Sequence, residues 1–245
     1  SPPWSYAVVR VSILLSEVFF DISKLSNKLS SISGITGSES SLAGSILTKS
    51  EDDEATGGWV SITGSEDDVL LRVLNTHKKF KSDIIVELTG DCPLIDPKIV
   101  DEIISFYIEN NYDYVSNSHL RSYPDGFDVQ VFSTKLLSQV SSLTKNKYDR
   151  ENVSSYIYRT GKYNTHGIVA PKELFWPNLR VTLDDKGDYL LIKKIIKKLH
   201  REHGFSFRAG DVINYLRKNP HLLDLIKDSR VSNVPYQFIA NGPRD

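Results

Sequence analysis

Two aspartates in this sequence follow apolar, strand-like segments and could bind a metal ion. Asp91 comes shortly after the run Asp83–Leu88, and Asp184 comes directly after Leu179–Leu183. Because ligands of open α/β sheets bind beyond the carboxyl ends of the strands, we expect both side chains at one such edge. Mg²⁺ prefers one or two carboxylates together with phosphate oxygens and water. The two positions therefore predict a Mg²⁺ site, and the alternative is that each aspartate caps the helix after it.

The residues around Asp91 bear on that alternative. Asp96 stands directly before Pro97, and proline favours the first turn of a helix. We therefore expect Asp96 to cap a helix from Pro97 to about Asn110, which leaves Asp91 for a ligand. Cys92 is interpreted as a small buried packing residue rather than a reactive thiol.

Later in the chain two further features could contribute to a site. Asp184 and Asp185 both precede an amphipathic segment, Lys186–His203, and either could cap that helix. The tripeptide Pro124–Gly126 predicts a turn, after which Asp128 opens a strand. Asp128 could bind a ligand hydroxyl, and the alternative is a simple hairpin turn.

The elements that would position these side chains alternate between strand and helix after Gly64. This alternation predicts an α/β fold with a mainly parallel sheet covered by helices on both faces. We expect one domain over residues 1–245, with a Ser-rich part at 1–63, an orderly part at 64–223 and a tail at 224–245. Strands are predicted at Tyr6–Val11, Ile46–Leu47, Trp59–Ile62, Asp83–Leu88, Tyr112–Asn117, Val129–Phe132 and Leu179–Leu183. Helices are predicted at Glu17–Leu29, Asp67–Lys81 with Ser65 as its cap, Pro97–Asn110, Thr134–Leu143, Arg150–Arg159, Lys186–His203 and Asp211–Lys218.

The composition restricts the class of partner. The 245 residues carry a formal net charge of -1, with 40% hydrophobic and 25% charged residues. A phosphate-binding surface for nucleic acid usually shows as an excess of Lys and Arg, so we expect no nucleic-acid partner. No apolar run reaches the length of a membrane span, so no membrane partner is expected. The single cysteine fits a reducing compartment, which predicts a cytoplasmic protein.

Six ordered motifs resemble those of a known family, the cytidylyltransferases of the spore-coat polysaccharide and acylneuraminate type. The resemblance covers Gly64 to about Leu223, and the run TGDCPLIDP is its most specific part. The motifs are GSEDDVLLR from Gly64, ELTGDCPLIDP from Glu87, DYVSNS from Asp113, YPDGFDVQVFS from Tyr123, RENVSSYIY from Arg150, and LRVTLDD with its trailing GDY from Leu179.

The resemblance implies a nucleotide-diphospho-sugar transferase fold, a three-layer α/β sandwich with a mostly parallel Rossmann-like sheet, and often a homodimer. It implies transfer of CMP from CTP to a sugar acid, with release of pyrophosphate and with Mg²⁺ as cofactor. The implied roles are as follows: catalysis by Asp91, Asp184 and Arg10; metal binding by Asp91 and Asp184; nucleotide binding by Arg10, Ser12, Ser65, Thr89 and Gly90; and acceptor binding by Gly126, Asp128, Arg150 and Glu151.

The first residues depart from the family pattern. That pattern has a loop in which two arginines and a lysine surround a serine and hold the triphosphate. Here Arg10 can stand for the first arginine and Ser12 for the serine, but the other two cations have no equivalent and Glu17 lies near the place of the lysine. Because charged phosphate contacts are strong, their loss leaves an alternative open, a catalytically impaired member that binds a sugar or a protein. A metal-dependent glycosyltransferase is a third and weaker alternative, because Asp184 and Asp185 follow a strand.

Overall fold

The computed structural model describes residues 6–10, 45–49, 59–65, 67–227 and 237–238 of the chain. The predicted helix Glu17–Leu29 and nearly all of the Ser-rich stretch before residue 45 lie outside these residues. The described strands are β1 Tyr6–Arg10, β2 Ser45–Lys49, β3 Trp59–Thr63, β4 Ile84–Leu88, β5 Tyr114–Ser116, β6 Leu120–Arg121, β7 Gln130–Ser133, β8 Thr165–Gly167 and β9 Gln237–Phe238. The described α-helices are α1 Val69–Lys79, α2 Pro97–Glu109, α3 Thr134–Leu143, α4 Lys147–Glu151, α5 Ser155–Arg159, α6 Lys186–His203 and α7 Ala209–Lys218, and short 3₁₀ turns span Gly204–Ser206 and Pro220–Leu225.

Seven strands form one sheet in the order β3-β2-β1-β4-β7-β5-β8. Strand β1 is parallel to β4, with Tyr6 opposite Ile84 and Arg10 opposite Leu88. Strand β2 is antiparallel to both β1 and β3. The chain from β2 to β3 is too short for the crossover that parallel neighbours need, so this pair must be antiparallel. The predicted α/β class is confirmed, with an antiparallel edge added to it.

The chain comprises two compact units, the first drawn from residues 1–90, 111–114 and 131–165. Its core contains Leu70, Val73 and Leu74 of α1, which follow one another at helical spacing and are almost fully buried. Ile85 of β4 and Phe132 of β7 belong to the same cluster. The helix predicted over Asp67–Lys81 is therefore present as α1, and its apolar residues form a core face.

The second unit comprises residues 91–110, 115–130 and 166–245. Helix α6 buries Leu191, Ile195 and Leu199 and packs against α7. Its bounds, like those of α3, agree with the sequence prediction. Among the residues that the structure describes, every helix falls short of the length and apolarity that a bilayer span requires.

Two predicted elements differ in the structure. Leu179–Leu183 is not a strand of the sheet, and only Arg180 forms an isolated parallel bridge, with Asp125. The predicted helix over Arg150–Arg159 is two short helices, α4 and α5. Val153, between them, has φ 42°. That backbone conformation interrupts the helical repeat.

The predicted cap of α1 is also corrected. The cap is Asp68, whose carboxylate accepts from the backbone N–H of Leu71. The Ser65 hydroxyl instead accepts from the N–H of Asp68, at 3.1 Å, one turn before the helix. Asp96 is confirmed as the cap of α2, where it accepts from the N–H of Lys98.

Candidate active site

Asp91 lies in the loop between β4 and α2. Cys92 beside it is buried, as predicted, with its Sγ 3.8 Å from Oδ1 of Asp91. Asp96 is occupied at the helix end, because its carboxylate also accepts from the backbone N–H of Ala209. Asp91, which is half-buried, is therefore the carboxylate of this loop that is not used as a helix cap.

An extended segment links Asp91 to the Pro-Asp-Gly turn. The backbone N–H of Leu183 donates to the carbonyl of Asp91 at 2.8 Å, so Asp184 lies one residue from this contact. Closer to its start, the segment forms two hydrogen bonds with Asp125. The N–H of Asp125 donates to the carbonyl of Leu179, and the N–H of Val181 donates to the carbonyl of Asp125. Because its partners are a turn and a loop, the segment forms no strand ladder.

Gly126 makes this approach of backbone to backbone feasible. Its φ is +113°, a conformation that L residues rarely adopt. A β-carbon at this position would lie 2.9 Å from the carbonyl carbon of Val181 and 2.8 Å from its Cγ2. The turn predicted from Pro-Asp-Gly is present, and its glycine is required by the neighbouring segment.

Asp128, predicted to bind a ligand hydroxyl, is held by Arg121. The two guanidinium nitrogens of Arg121 donate to the two carboxylate oxygens at 2.6 and 3.0 Å. Arg121 is 1% exposed and also lies 3.5 Å from the carboxylate of Asp125. A two-pronged pair of this kind fixes the orientation of both groups. The orientation of the Asp128 carboxylate is therefore fixed, and the residue is half-buried.

Asp184 is held by a second arginine. Arg180 donates to Asp184 at 2.7 Å and forms a short ion pair with the buried carboxylate of Asp188. The hydroxyl of Thr182 donates to the same oxygen of Asp184 at 2.7 Å. Asp185 is the cap of α6 and accepts from the N–H of Asp188, so the helix end does not need Asp184. Of the two possible caps, Asp185 is the one used.

The charges on these groups perturb the ionisation of Asp125. Its pKa is raised to about 7, first by burial and then by the negative charge of Asp128, with a further contribution from Asp91. Arg121 and Arg180 oppose this shift but do not cancel it. Burial, together with the charges of Asp128 and Asp91, therefore outweighs the two arginines at Asp125.

The carboxylates of Asp91 and Asp184 raise the question whether the residues fit a divalent cation. Hard carboxylate oxygens are the donors that Mg²⁺ prefers, and Asp91 and Asp184 present them from adjoining backbone segments. Among the described residues, no group of three or more His, Cys, Asp or Glu side chains is arranged to hold a metal. Mg²⁺ bound by two carboxylates and substrate phosphates does not require such a group, so the chemistry of the donors is compatible with Mg²⁺ and the site stays a prediction.

The similarity of this sequence to a known protein family shows to which class of protein the chain belongs. The model described as Cytidylyltransferase matches residues 51–222, which is most of the chain. The chain belongs to the cytidylyltransferase family.

Two curated relatives and a solved structure are similar to this chain. The cytidylyltransferase is 30% identical over 177 residues to an uncharacterized protein of Methanocaldococcus jannaschii, a match that covers 72% of this chain and 70% of the relative. It is 30% identical over 166 residues to the spore coat polysaccharide biosynthesis protein SpsF of Bacillus subtilis, covering 66% and 67% of the two chains. A cytidylyltransferase structure from Leptospira borgpetersenii has 31% identity, a TM-score of 0.60 and 69% coverage of each chain.

The remaining predicted site residues of the cytidylyltransferase belong to the first unit. Arg10 is described only as the last residue of β1, opposite Leu88, and Ser12 lies outside the described residues. Thr89 is exposed and Gly90 is half-buried in the loop after β4. Glu151 is exposed at the end of α4. The roles proposed for these residues stay predictions.

Arg150, predicted to bind the acceptor, has close partners within the first unit. Its Nε and Nη2 donate to the carboxylate of Asp68 at 2.8 and 2.5 Å. Its Nη1 donates to the carbonyl of Ser141 at 3.0 Å. The guanidinium therefore connects the start of α1 with the end of α3, and Ser65 lies beside that helix start.

Sequence reasoning did not single out the arginine partners of the site aspartates or the ionisation of Asp125. Arg180 and Asp188 are distant enough in sequence that no helical or strand spacing connects them. The partners of Arg121 are the carboxylates of Asp125 and Asp128. The signal in the sequence is the proximity of Arg121 to Asp125 and Asp128, and the burial that makes internal ion pairing necessary is known only from the structure.

Proposed function

We propose that this cytidylyltransferase moves CMP from CTP to a hydroxyl of a sugar acid and releases pyrophosphate. The family supports nucleotidyl transfer, and the relative from Bacillus subtilis is named for spore coat polysaccharide biosynthesis. We therefore propose surface polysaccharide or glycan synthesis as the role of the product.

The observation that carries this proposal is the contact between Leu183 and Asp91, which brings Asp91 and Asp184 to adjoining backbone positions. In the proposed reaction the acceptor hydroxyl oxygen attacks the α-phosphorus, the bond to the β-phosphate breaks, and the hydroxyl proton is released. Catalysis of such a transfer consists mainly of positioning and of stabilising negative charge.

Asp91 and Asp184 would hold Mg²⁺ in this proposal. The cation would offset the negative charge that develops on the phosphate oxygens when it is bound with CTP. Arg180 and Thr182 fix the orientation of the Asp184 carboxylate through one of its oxygens, and Asp185 rather than Asp184 caps α6. We further propose Arg10, Ser12, Ser65, Thr89 and Gly90 as nucleotide contacts and Gly126, Asp128, Arg150 and Glu151 as acceptor contacts.

Pyrophosphate release by the purified protein with CTP, Mg²⁺ and a panel of sugar acids tests the proposal. Asp91→Asn and Asp184→Asn should each lower the rate by about 100-fold or more, since each removes charge that the reaction needs. Asp101→Asn, on the exposed face of α2, serves as the matched control and should keep the wild-type rate. Absence of release with every acceptor, together with absence of CTP binding in calorimetry, would rule out the proposed activity.

A catalytically impaired member that binds a sugar or a protein is the second candidate, favoured by the missing cations after Arg10. The two candidates differ in CTP affinity. If the missing charge is the cause of a weak affinity, Glu17→Lys should tighten CTP binding by a factor of about 10. An unchanged dissociation constant would count against that explanation.

The homodimer and the cytoplasmic location stay predictions from the resemblance and the composition. Sedimentation equilibrium of the purified protein and fractionation of the producing cells would test them.

A further inference from the structure

Asn117 is fully buried at the end of β5, and its side chain contacts the backbone on both sides of Asp128. Its Nδ2 donates to the carbonyl of Phe127 at 2.8 Å, and its Oδ1 accepts from the N–H of Val129 at 2.8 Å. Its own N–H donates to the carbonyl of Val129 at 3.3 Å. The side-chain amide of Asn117 therefore forms hydrogen bonds with both peptide groups that flank Asp128, as the backbone of a neighbouring strand would.

Arg121 fixes the side chain of Asp128. The Asn117 contacts set the backbone of Asp128, and the two-pronged contact from Arg121 at 2.6 and 3.0 Å sets its carboxylate. Little freedom is left to Asp128, although 12% of its side chain is exposed. Each carboxylate oxygen has a further lone pair beyond the one that accepts from Arg121.

Stability alone does not account for this arrangement. Burying an arginine and a carboxylate requires their desolvation, and apolar residues of similar volume are often as stabilising or more so. Preorganised groups held by a supporting shell are, by contrast, what precise ligand recognition requires. A carboxylate that accepts but does not donate recognises hydroxyl groups and repels a carboxylate of the ligand.

We propose that Asn117 and Arg121 are positioning residues that hold Asp128 for hydroxyl groups of the acceptor. The acceptor then presents its polyhydroxy part to Asp128, and its carboxylate lies elsewhere. This inference rests on the proposed function, because it takes the acceptor to be the molecule that Asp128 contacts.

The test compares Asn117→Ala and Asp128→Asn, alone and combined, with Asn110→Ala as the matched control. Asn110 also donates from its side-chain amide to a backbone carbonyl, that of Phe106 at 2.8 Å, but at the exposed end of α2. Pyrophosphate release is measured with separate titrations of CTP and of each sugar acid in the panel. Acceptor binding is measured independently of chemistry by calorimetry, and folding by thermal unfolding.

Asn117→Ala should raise the KM for the acceptor by about 10-fold, while the KM for CTP stays within about 2-fold. In the combined variant the acceptor KM should be no higher than in Asp128→Asn, because both substitutions remove the same contact. Asn110→Ala should leave both constants unchanged. A purely structural role for Asn117 would instead change both KM values together, or lower the melting temperature alone, and would overturn the inference.

The outcome separates this inference from the proposed function. Acceptor binding in calorimetry without pyrophosphate release overturns the proposed reaction, and the effect of Asn117→Ala on that binding still decides the inference. If the wild-type protein binds none of the sugar acids, the assignment of Asp128 to the acceptor is wrong and the inference fails.

Discussion

Replacing Gly126 with alanine should destabilise the protein more than the same change at any glycine with open space around it. Gly126 has φ +113°, and a new β-carbon would lie 2.8 Å from Cγ2, 2.9 Å from the carbonyl carbon and 3.0 Å from the oxygen of Val181. The backbone conformation costs an L residue about 1–3 kcal/mol. Forcing an extra carbon into a packed site costs about 1–3 kcal/mol more.

The expected loss for Gly126→Ala is therefore about 4 kcal/mol, a large part of the stability of an ordinary domain. Gly161→Ala is the control, because Gly161 has φ +67° and nothing within 4 Å of an added β-carbon. It should lose about 1–2 kcal/mol through its backbone conformation alone. Urea unfolding, followed by circular dichroism, measures both losses.

The same substitution should also weaken acceptor binding. Moving Val181 away from the turn breaks its hydrogen bond to the carbonyl of Asp125, which is 2.7 Å long in the structure. Adding Val181→Ala to Gly126→Ala should restore only part of the lost stability, since the backbone carbon and oxygen of residue 181 would still collide with the new β-carbon. Equal losses for Gly126→Ala and Gly161→Ala would refute the close approach of the two segments.

Three further predictions concern ionisation and helix capping. Since the pKa of Asp125 is raised to about 7, the native state keeps a proton that the unfolded chain releases near pH 4, so stability should fall as pH rises between these values and level off above 7. The free energy of unfolding of Asp125→Asn, measured relative to wild type, should therefore be higher at pH 8 than at pH 5. The same difference between variant and wild type at both pH values would contradict this. Burial would raise the pKa of Asp149, but hydrogen bonds led by that from Arg159 lower it, so its contribution is present at neutral pH and is lost in acid. Asp149→Asn should cost about 2–3 kcal/mol at pH 7 and much less at pH 3 in urea unfolding, and a cost independent of pH would refute this. Asp185→Ala should cost about 1 kcal/mol through the lost cap of α6, whereas the exposed neighbour Lys186→Ala should cost little, and similar thermal shifts for both would argue against capping by Asp185.

Much of the chain could be predicted from local patterns. The apolar stripe of α6 and the Asp96-Pro97 start of α2 depend on residues within a few positions of each other, and both predictions agree with the structure. The Pro-Asp-Gly turn is likewise a local signal, and the turn is present. Such features are accessible because helix periodicity, capping and turn geometry involve only near neighbours.

One prediction failed because a distant segment decides the local structure, and another because of a local backbone conformation. Leu179–Leu183 has the apolar pattern of a buried strand, but its hydrogen-bond partners are Asp125 and Asp91 rather than a neighbouring strand. The predicted helix over Arg150–Arg159 is interrupted by the positive φ of Val153, which the apolar pattern does not show.

The candidate site divides in the same way. The family and the α/β class could be predicted from the sequence alone, because the order of the motifs and the alternation of strands and helices are local features of the chain. The pairing of each arginine with its carboxylate became visible only in the folded chain. Arg121 pairs with Asp128, and the pKa of Asp125 is raised to about 7. Ion pairing and desolvation depend on distances and burial between segments far apart in sequence, and these exist only once the chain has folded.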